Sequence, residues 1–212
     1  MNLMMPLATI CPGLDSAALT VLAGTETAMS ATQVRRIAGR GSRYGLVLAL
    51  ERLTESGLVT AIPAARGSLY QLNRAHILAP VVIAAVRVGA ELEARLVGAL
   101  RELTPMPISV AIFGSVARHE ATPDSDIDLL IVVDEAVDPD SGSWIRQIGD
   151  LEGLARSWTG NPLQTTSVTR SQLAAMAGAG AAIVDEWEHD AQTIFGQPAD
   201  GLIRLTRQEA GV

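Results

Sequence analysis

The sequence predicts an α/β (α+β) chain of two modules joined by a long helix. Three observations lead there: residues up to Leu72 read as three helices and a strand pair, residues from Ile108 onward alternate strand with helix, and the charge changes sign between them. Up to Arg74 seven Arg stand against four acids, Asp15, Glu26, Glu51 and Glu55, a net of +3. With 16 basic and 23 acidic residues in all, nine Arg and nineteen acids remain for the rest, a net of −10. A basic head on an acidic body implies modules with different partners.

The 212 residues suffice for one large or two small domains, and 48% are apolar. The apolar runs are interrupted by Arg and Glu before they reach bilayer length, and the N-terminus lacks a basic stretch followed by an apolar core. The expectation is a cytoplasmic protein with no membrane partner. Cys11 is the only cysteine, so neither an internal disulfide nor a structural zinc is implied. Lys is absent, and any cationic role falls to Arg or a metal.

In order, an apolar helix is expected over Asp15–Ala23 and a second from Ser30 as N-cap, with Val34 and Ile37 inward and Arg35 and Arg36 outward. After the turn Gly39-Arg40-Gly41-Ser42, a third helix runs from about Arg43 to Ser56, with Leu46, Leu50 and Leu53 on one face and Gly57 ending it. Two strand-like runs, Leu58–Ile62 and Ser68–Leu72, flank Pro63-Ala64-Ala65-Arg66-Gly67. Three helices and a hairpin are the winged-helix order.

The Ala, Val and Leu-rich segment Val81–Leu103, between Pro80 and Pro105, reads as one long helix that links the modules and pairs with a second copy of itself. Next come a strand over Ile108–Phe113, a short helix, a strand over Asp126–Val133, a helix from about Ser143 to Trp158, a strand over Leu163–Val168 and two more helices. The helical Trp144, Trp158 and Trp187 are suited to covering the sheet. Asp185, Glu186, Glu188, His189 and Asp190 read as a solvated helix face. The domains expected are 1–76, a linker helix over 77–104, and 105–212.

The chemistry sits in Phe113-Gly114-Ser115 and, after ten intervening residues, Asp126-Ile127-Asp128. Side chains alternate along a strand, so Asp126 and Asp128 project to one side and Ile127 to the other. Like charges that close repel unless a hard cation bridges them, and Mg²⁺ shared between carboxylates and substrate phosphates is the usual solution. Gly114 lets the backbone approach a phosphate, and Ser115 offers a hydroxyl and an amide at a helix start.

The string Gly114-Ser115-Val116-Ala117-Arg118 continuing through Pro123-Asp124-Ser125-Asp126-Ile127-Asp128 resembles the minimal nucleotidyltransferase domains of the DNA polymerase β superfamily. The resemblance covers roughly Ile108–Gly196, with Ile194-Phe195-Gly196 similar to the family's closing helix. It implies Asp126 and Asp128 as catalytic metal ligands, Gly114, Ser115 and Arg118 at the phosphates, and Mg²⁺ with ATP or another NTP as cofactors. The family's third carboxylate falls at Gln164, which neither accepts a proton nor binds a divalent cation well. Asp134 is no substitute, being six residues along the strand, on the order of 20 Å away; Asp124 or Glu120 would have to reach in from the loop. His119 stands where the family often has Gly.

Over roughly Leu14–Asn73 the chain resembles the winged helix-turn-helix of bacterial transcriptional regulators. That implies double-stranded DNA as partner. Ser42, Arg43 and Tyr44 would meet bases and phosphates, Arg35, Arg36 and Arg40 the backbone, and Arg66 a phosphate or the minor groove. The combined expectation is a dimeric DNA-binding transcription regulator whose second module binds an NTP with Mg²⁺ and has weak or lost transfer activity. The alternative is an active nucleotidyltransferase that modifies a protein, a tRNA or a small-molecule hydroxyl, as antitoxin-like and antibiotic-modifying relatives do.

Overall fold

The structure of the protein, a computed structural model, describes residues 1–65 and 67–210, with side chains up to Arg207. It divides into two compact units, Met4–Gly89 with Asn2, and Ala90–Val212 with Met1 and Leu3.

In the first unit α1 (Leu7–Ile10) and α2 (Leu14–Ala23) precede β1 (Met29–Ser30), α3 (Ala31–Ala38), α4 (Arg43–Glu55), β2 (Val59–Ala64), β3 (Gly67–Leu72) and α5 (Ala79–Val86). The strands form an antiparallel sheet in the order β1-β3-β2, with Val59 opposite Leu72 and Met29 opposite Tyr70. Ser30 starts α3 through a capping box: its hydroxyl accepts from the Gln33 amide at 3.3 Å, and the Gln33 side chain accepts from the Ser30 amide at 2.8 Å. Leu19, Leu22, Val34, Leu46, Leu50 and Leu72 close the core. Ile37, expected inside, is instead 56% exposed. The helix ends one residue later and packs through Val34, which leaves its last turn in solvent. Arg66 lies outside the described residues.

The single helix expected over Val81–Leu103 is two helices. After α5 the backbone of Arg87 leaves helical geometry at φ −91°, ψ 10°, and its amide is shared between the carbonyls of Ile83 and Ala84. Then α6 (Val88–Leu100) begins. The β-branched run through Val81, Val82, Ile83, Val86 and Val88, followed by Gly89, is a poor helix former, so the break falls there. Pro80 stands inside the first turn of α5, where its missing N–H costs nothing.

The second unit continues with β4 (Ser109–Phe113), α7 (Gly114–Ala117), β5 (Ile127–Val133), α8 (Gly142–Thr159), β6 (Leu163–Thr169), α9 (Arg170–Gly178), α10 (Ala182–Asp190), β7 (Gln192–Gly196) and α11 (Ala199–Ala210). The sheet order is β6-β5-β4-β7. Only β5 and β6 are parallel, which α8 permits as crossover. Central β5 reads Ile-Asp-Leu-Leu-Ile-Val-Val and is buried on both faces except at Asp128. One face, with Leu130 and Val132, packs with Leu173, Val184, Trp187, Leu202 and Ile203 of α9, α10 and α11. On the other, Thr165 and Ser167 of β6 meet α8: Trp144 Nε1 donates to Ser167 Oγ at 3.0 Å and Thr165 Oγ1 to Glu152 at 2.9 Å.

Ile194-Phe195-Gly196, expected in a closing helix, belongs to edge strand β7 paired antiparallel with β4. A three-residue run carries no helical period, and the exposed edge of β4 supplies ladder partners that a helix there would leave unmet. The strand ends where Gly196 adopts φ +76°, packed against the Ile108 carbonyl with no room for a side chain. Among the described residues no helix is long and apolar enough to cross a membrane.

Trp187 is fully buried and meets Phe113, the residue before Gly114, edge to face at 5.9 Å between ring centroids. Trp187→Ala is expected to lower unfolding free energy by about 3–5 kcal/mol in chemical denaturation. A loss under about 1 kcal/mol would mean that this contact does not hold α10 against the sheet.

Candidate active site

Alternation along β5 and the pairing of its neighbours put the acids together. Strand β5 begins at Ile127, one residue later than expected; Ile127 is fully buried, while Asp126 and Asp128 are partly exposed on the opposite side. Register sets Phe113 of β4 beside Asp128 on one flank and Gln164 of β6 on the other. The three side chains share one face, the one that carries α9, α10 and α11 farther along the sheet.

Gly114 turns the chain at φ +70° directly beneath Asp128. A Cβ there would stand 2.5 Å from Asp128 Oδ2, so only glycine fits both the backbone and the carboxylate. Its neighbour Ser115 is half-buried in the single turn α7, with its carbonyl bonded to the Glu120 amide at 2.8 Å. Burial first, then the neighbouring Asp126 carboxylate, push the Asp128 carboxyl above its ordinary value; Arg118 opposes them and Glu186 adds to them. Gln164 Nε2 donates to Asp126 Oδ2 at 2.9 Å, so the neutral residue in place of a third acid already occupies one of the two carboxylates.

Two aspartates on one side, crowded against a glycine corner, offer the hard oxygen donors that Mg²⁺ takes. Among the described residues no group of three or more His, Cys, Asp and Glu stands together as a metal cage. The donor set fits a cation whose shell a ligand's phosphates complete, and it lacks the third carboxylate that a second cation would use.

Arg118, expected at the phosphates, is held by two carboxylates: Nη1 meets Asp190 Oδ2 at 2.6 Å and Nε meets Glu120 Oε2 at 3.1 Å. Between Arg118 and Glu120, His119 takes φ +59°, a left-handed conformation uncommon for a residue with a side chain. That turn brings Glu120 back onto Arg118, to which it is ion-paired. Of the acids of α10, read from sequence as a solvated face, three are ion-paired: Arg207 with Asp185 and Glu188, and Arg118 with Asp190. Asp190 and Glu186 were missed as site neighbours. Their i, i+4 spacing marks one helix face, but the partner, 72 residues away for Asp190, has no local sequence signal.

In the first unit Arg35, Arg36, Arg40, Arg43 and Tyr44 are exposed, Tyr44 at 73%. Ser42 is the N-cap of α4, its hydroxyl accepting from the Gly45 amide at 3.0 Å. Arg40 also donates to Met5 Sδ at 3.3 Å, and Arg52 is committed to Asp15 at 2.6 Å.

Residues 93–175 match the family profile "Nucleotidyltransferase domain", a stretch that includes Gly114, Ser115, Arg118, Asp126, Asp128 and Gln164 and stops before α10. No curated protein matches the chain. Among solved structures, a toxin-antitoxin with AMP-PNP aligns at 16% identity and a TM-score of 0.39, over 56% of this chain and 82% of that one. Two mutants of the toxin-antitoxin MntA-HpeT align at 14% and 16% identity, each with a TM-score of 0.38, over 56% of this chain and 82% and 81% of theirs.

A carboxyl whose pKa is higher folded than unfolded contributes stability below its unfolded value and loses it as pH rises through the folded one. Ionised Asp128 therefore destabilises the fold at neutral pH. Asp128→Asn is expected to melt higher than the native protein near pH 7, with the gap closing as pH falls below about 4. A lower melting temperature for the variant at neutral pH would contradict the crowding of this carboxylate.

Proposed function

We propose that the second module binds a nucleoside triphosphate with Mg²⁺ and transfers its nucleotidyl group, with release of pyrophosphate, weakly or not at all, and that the first module binds double-stranded DNA, making the protein a nucleotide-responsive transcription regulator. The hydrogen bond from Gln164 to Asp126 carries the first half of this reading. Asp126 and Asp128 would hold Mg²⁺, which neutralises the triphosphate and polarises the α-phosphorus. Gly114 opens the approach for the phosphates, and Ser115 lends a hydroxyl and an amide. Gln164 has no carboxylate to take the proton of an attacking hydroxyl, so binding survives where transfer fails.

Arg118 is paired with Glu120 and Asp190, and Asp128 near it lies beside Asp126, so a free triphosphate meets net negative charge. Binding on this reading depends on the cation. With labelled NTP and Mg²⁺, the native protein is expected to bind and to leave acceptors in a lysate almost unlabelled, whereas Gln164→Asp gains transfer. The same variant gathers three carboxylates, so it should melt lower than the native protein without Mg²⁺ and regain the difference with it. Efficient labelling by the native protein would overturn the loss of transfer and favour an active nucleotidyltransferase.

The DNA half rests on the winged-helix element order and on the exposed basic residues at the corner between α3 and α4. Arg35, Arg36 and Arg40 would grip phosphates, while Ser42, Arg43 and Tyr44 lead α4 into the major groove of a palindromic site read by a dimer. In a gel-shift titration, removing Arg36 should weaken binding to all sequences and lower the salt slope by about 1. Mg²⁺ with NTP should shift operator affinity, and Asp126→Ala with Asp128→Ala should abolish that shift. DNA affinity insensitive to salt would contradict a phosphate-gripping surface.

A further inference from the structure

Arg118 follows the Gly114-Ser115 turn, and its guanidinium is not free. Nη1 is paired with Asp190, the last residue of α10, and Nε with Glu120. Burial differs between the partners: the Asp190 side chain is 21% exposed and the Glu120 side chain 66%, so Asp190 is the better shielded and stronger of the two contacts. The Asp190 end is braced. Trp187 of α10 is buried against Phe113, Ala191 closes the helix with its amide on the Trp187 carbonyl, and Gln192 at the start of β7 donates to the Ala117 carbonyl at 2.7 Å. Asp190 thus stands at the pivot between α10 and β7, both fastened to the turn that bears Arg118.

We propose that Asp190 is a positioning residue that latches the Arg118 guanidinium while no nucleotide is bound, and that binding the triphosphate exchanges the Asp190 carboxylate for phosphate oxygens on the same guanidinium. The proposal rests on the nucleotide reading of the site and goes beyond it, because it makes affinity depend on a residue outside the stretch that matches the nucleotidyltransferase profile. The exchange is favourable because a guanidinium bonds phosphate in the same two-pronged way as carboxylate, while the released Asp190 regains water. Each nucleotide bound must break the latch, so the native affinity is held below what the same phosphate contacts would otherwise give.

The test is calorimetric titration of the full chain with a non-hydrolysable ATP analogue and Mg²⁺. Asp190→Asn is expected to bind roughly three- to tenfold tighter than the native protein, since it keeps the side chain's volume and removes the competing charge. In an Arg118→Ala background the same substitution should change affinity less than twofold, roughly, because the guanidinium it competes for is gone. Glu186→Gln, which removes a nearby carboxylate that makes no ion pair with Arg118, separates the latch from simple charge reduction: a gain equal to that of Asp190→Asn overturns the latch. Should Asp190→Asn fail to fold, Glu120→Gln releases the Nε contact and should give a smaller gain of the same sign. Unchanged or weaker binding by the folded variant, with native binding intact, overturns the latch alone. Heat from Asp190→Asn where the native protein gives none supports it. No heat from any variant overturns the nucleotide reading and the latch with it.

Discussion

Two carboxylates on one side of the start of β5 repel each other at close range, and burial adds to the cost of the Asp128 charge. Asp128 is pressed over Gly114 and pushed toward its protonated form, while Asp126 draws the amide of Gln164. Local folding stability would be better served by a neutral residue at Asp128. Strand β5, apolar at every position but Asp128, holds that acid in place with Asp126 just before it, and sites that retain such a cost do so for chemistry. The fold supplies the rigidity: β5 is the buried central strand, Phe113 fixes the corner through Trp187, and α8 locks β6 so that Gln164 falls in register.

What the site offers and what it lacks follow from one substitution of chemical type. A carboxylate at the position of Gln164 would complete a cation cage and accept a proton; an amide donates instead, and satisfies Asp126 without metal. On the proposed reading, phosphate binding would need only the glycine corner and the aspartate pair. On that reading, the split between holding a nucleotide and using it lies at Gln164. With the proposed latch, Arg118 would add a second level of control, since its guanidinium is already paired with Asp190 and Glu120.

The sequence made the site legible where spacing and periodicity carry the signal. The glycine corner and the alternation of Asp126 and Asp128 follow from short-range patterns. So do the capping of α3 by Ser30 and the Leu46, Leu50 and Leu53 face of α4. Gln164 is placed instead by the resemblance to the nucleotidyltransferase domains. What stayed hidden depends on tertiary context. Ile37 fits the helical period of Val34 yet sits past the edge of the packed layer, and the apolar linker concealed the break at Arg87. Ile194–Gly196 is too short for any period, so only the open edge of β4 decides that it is a strand. The left-handed turn at His119 and the Arg118–Asp190 pair are set by packing between distant segments and leave no trace in local composition.

The account meets its most direct test in a crystal structure of the protein with a non-hydrolysable NTP analogue and Mg²⁺. It predicts the cation between Asp126 and Asp128, the triphosphate over Gly114 and Ser115, and Gln164 outside the metal's shell. A nucleotide bound elsewhere in the chain, or one seated over Gly114 with both aspartates turned away from the metal, would contradict it.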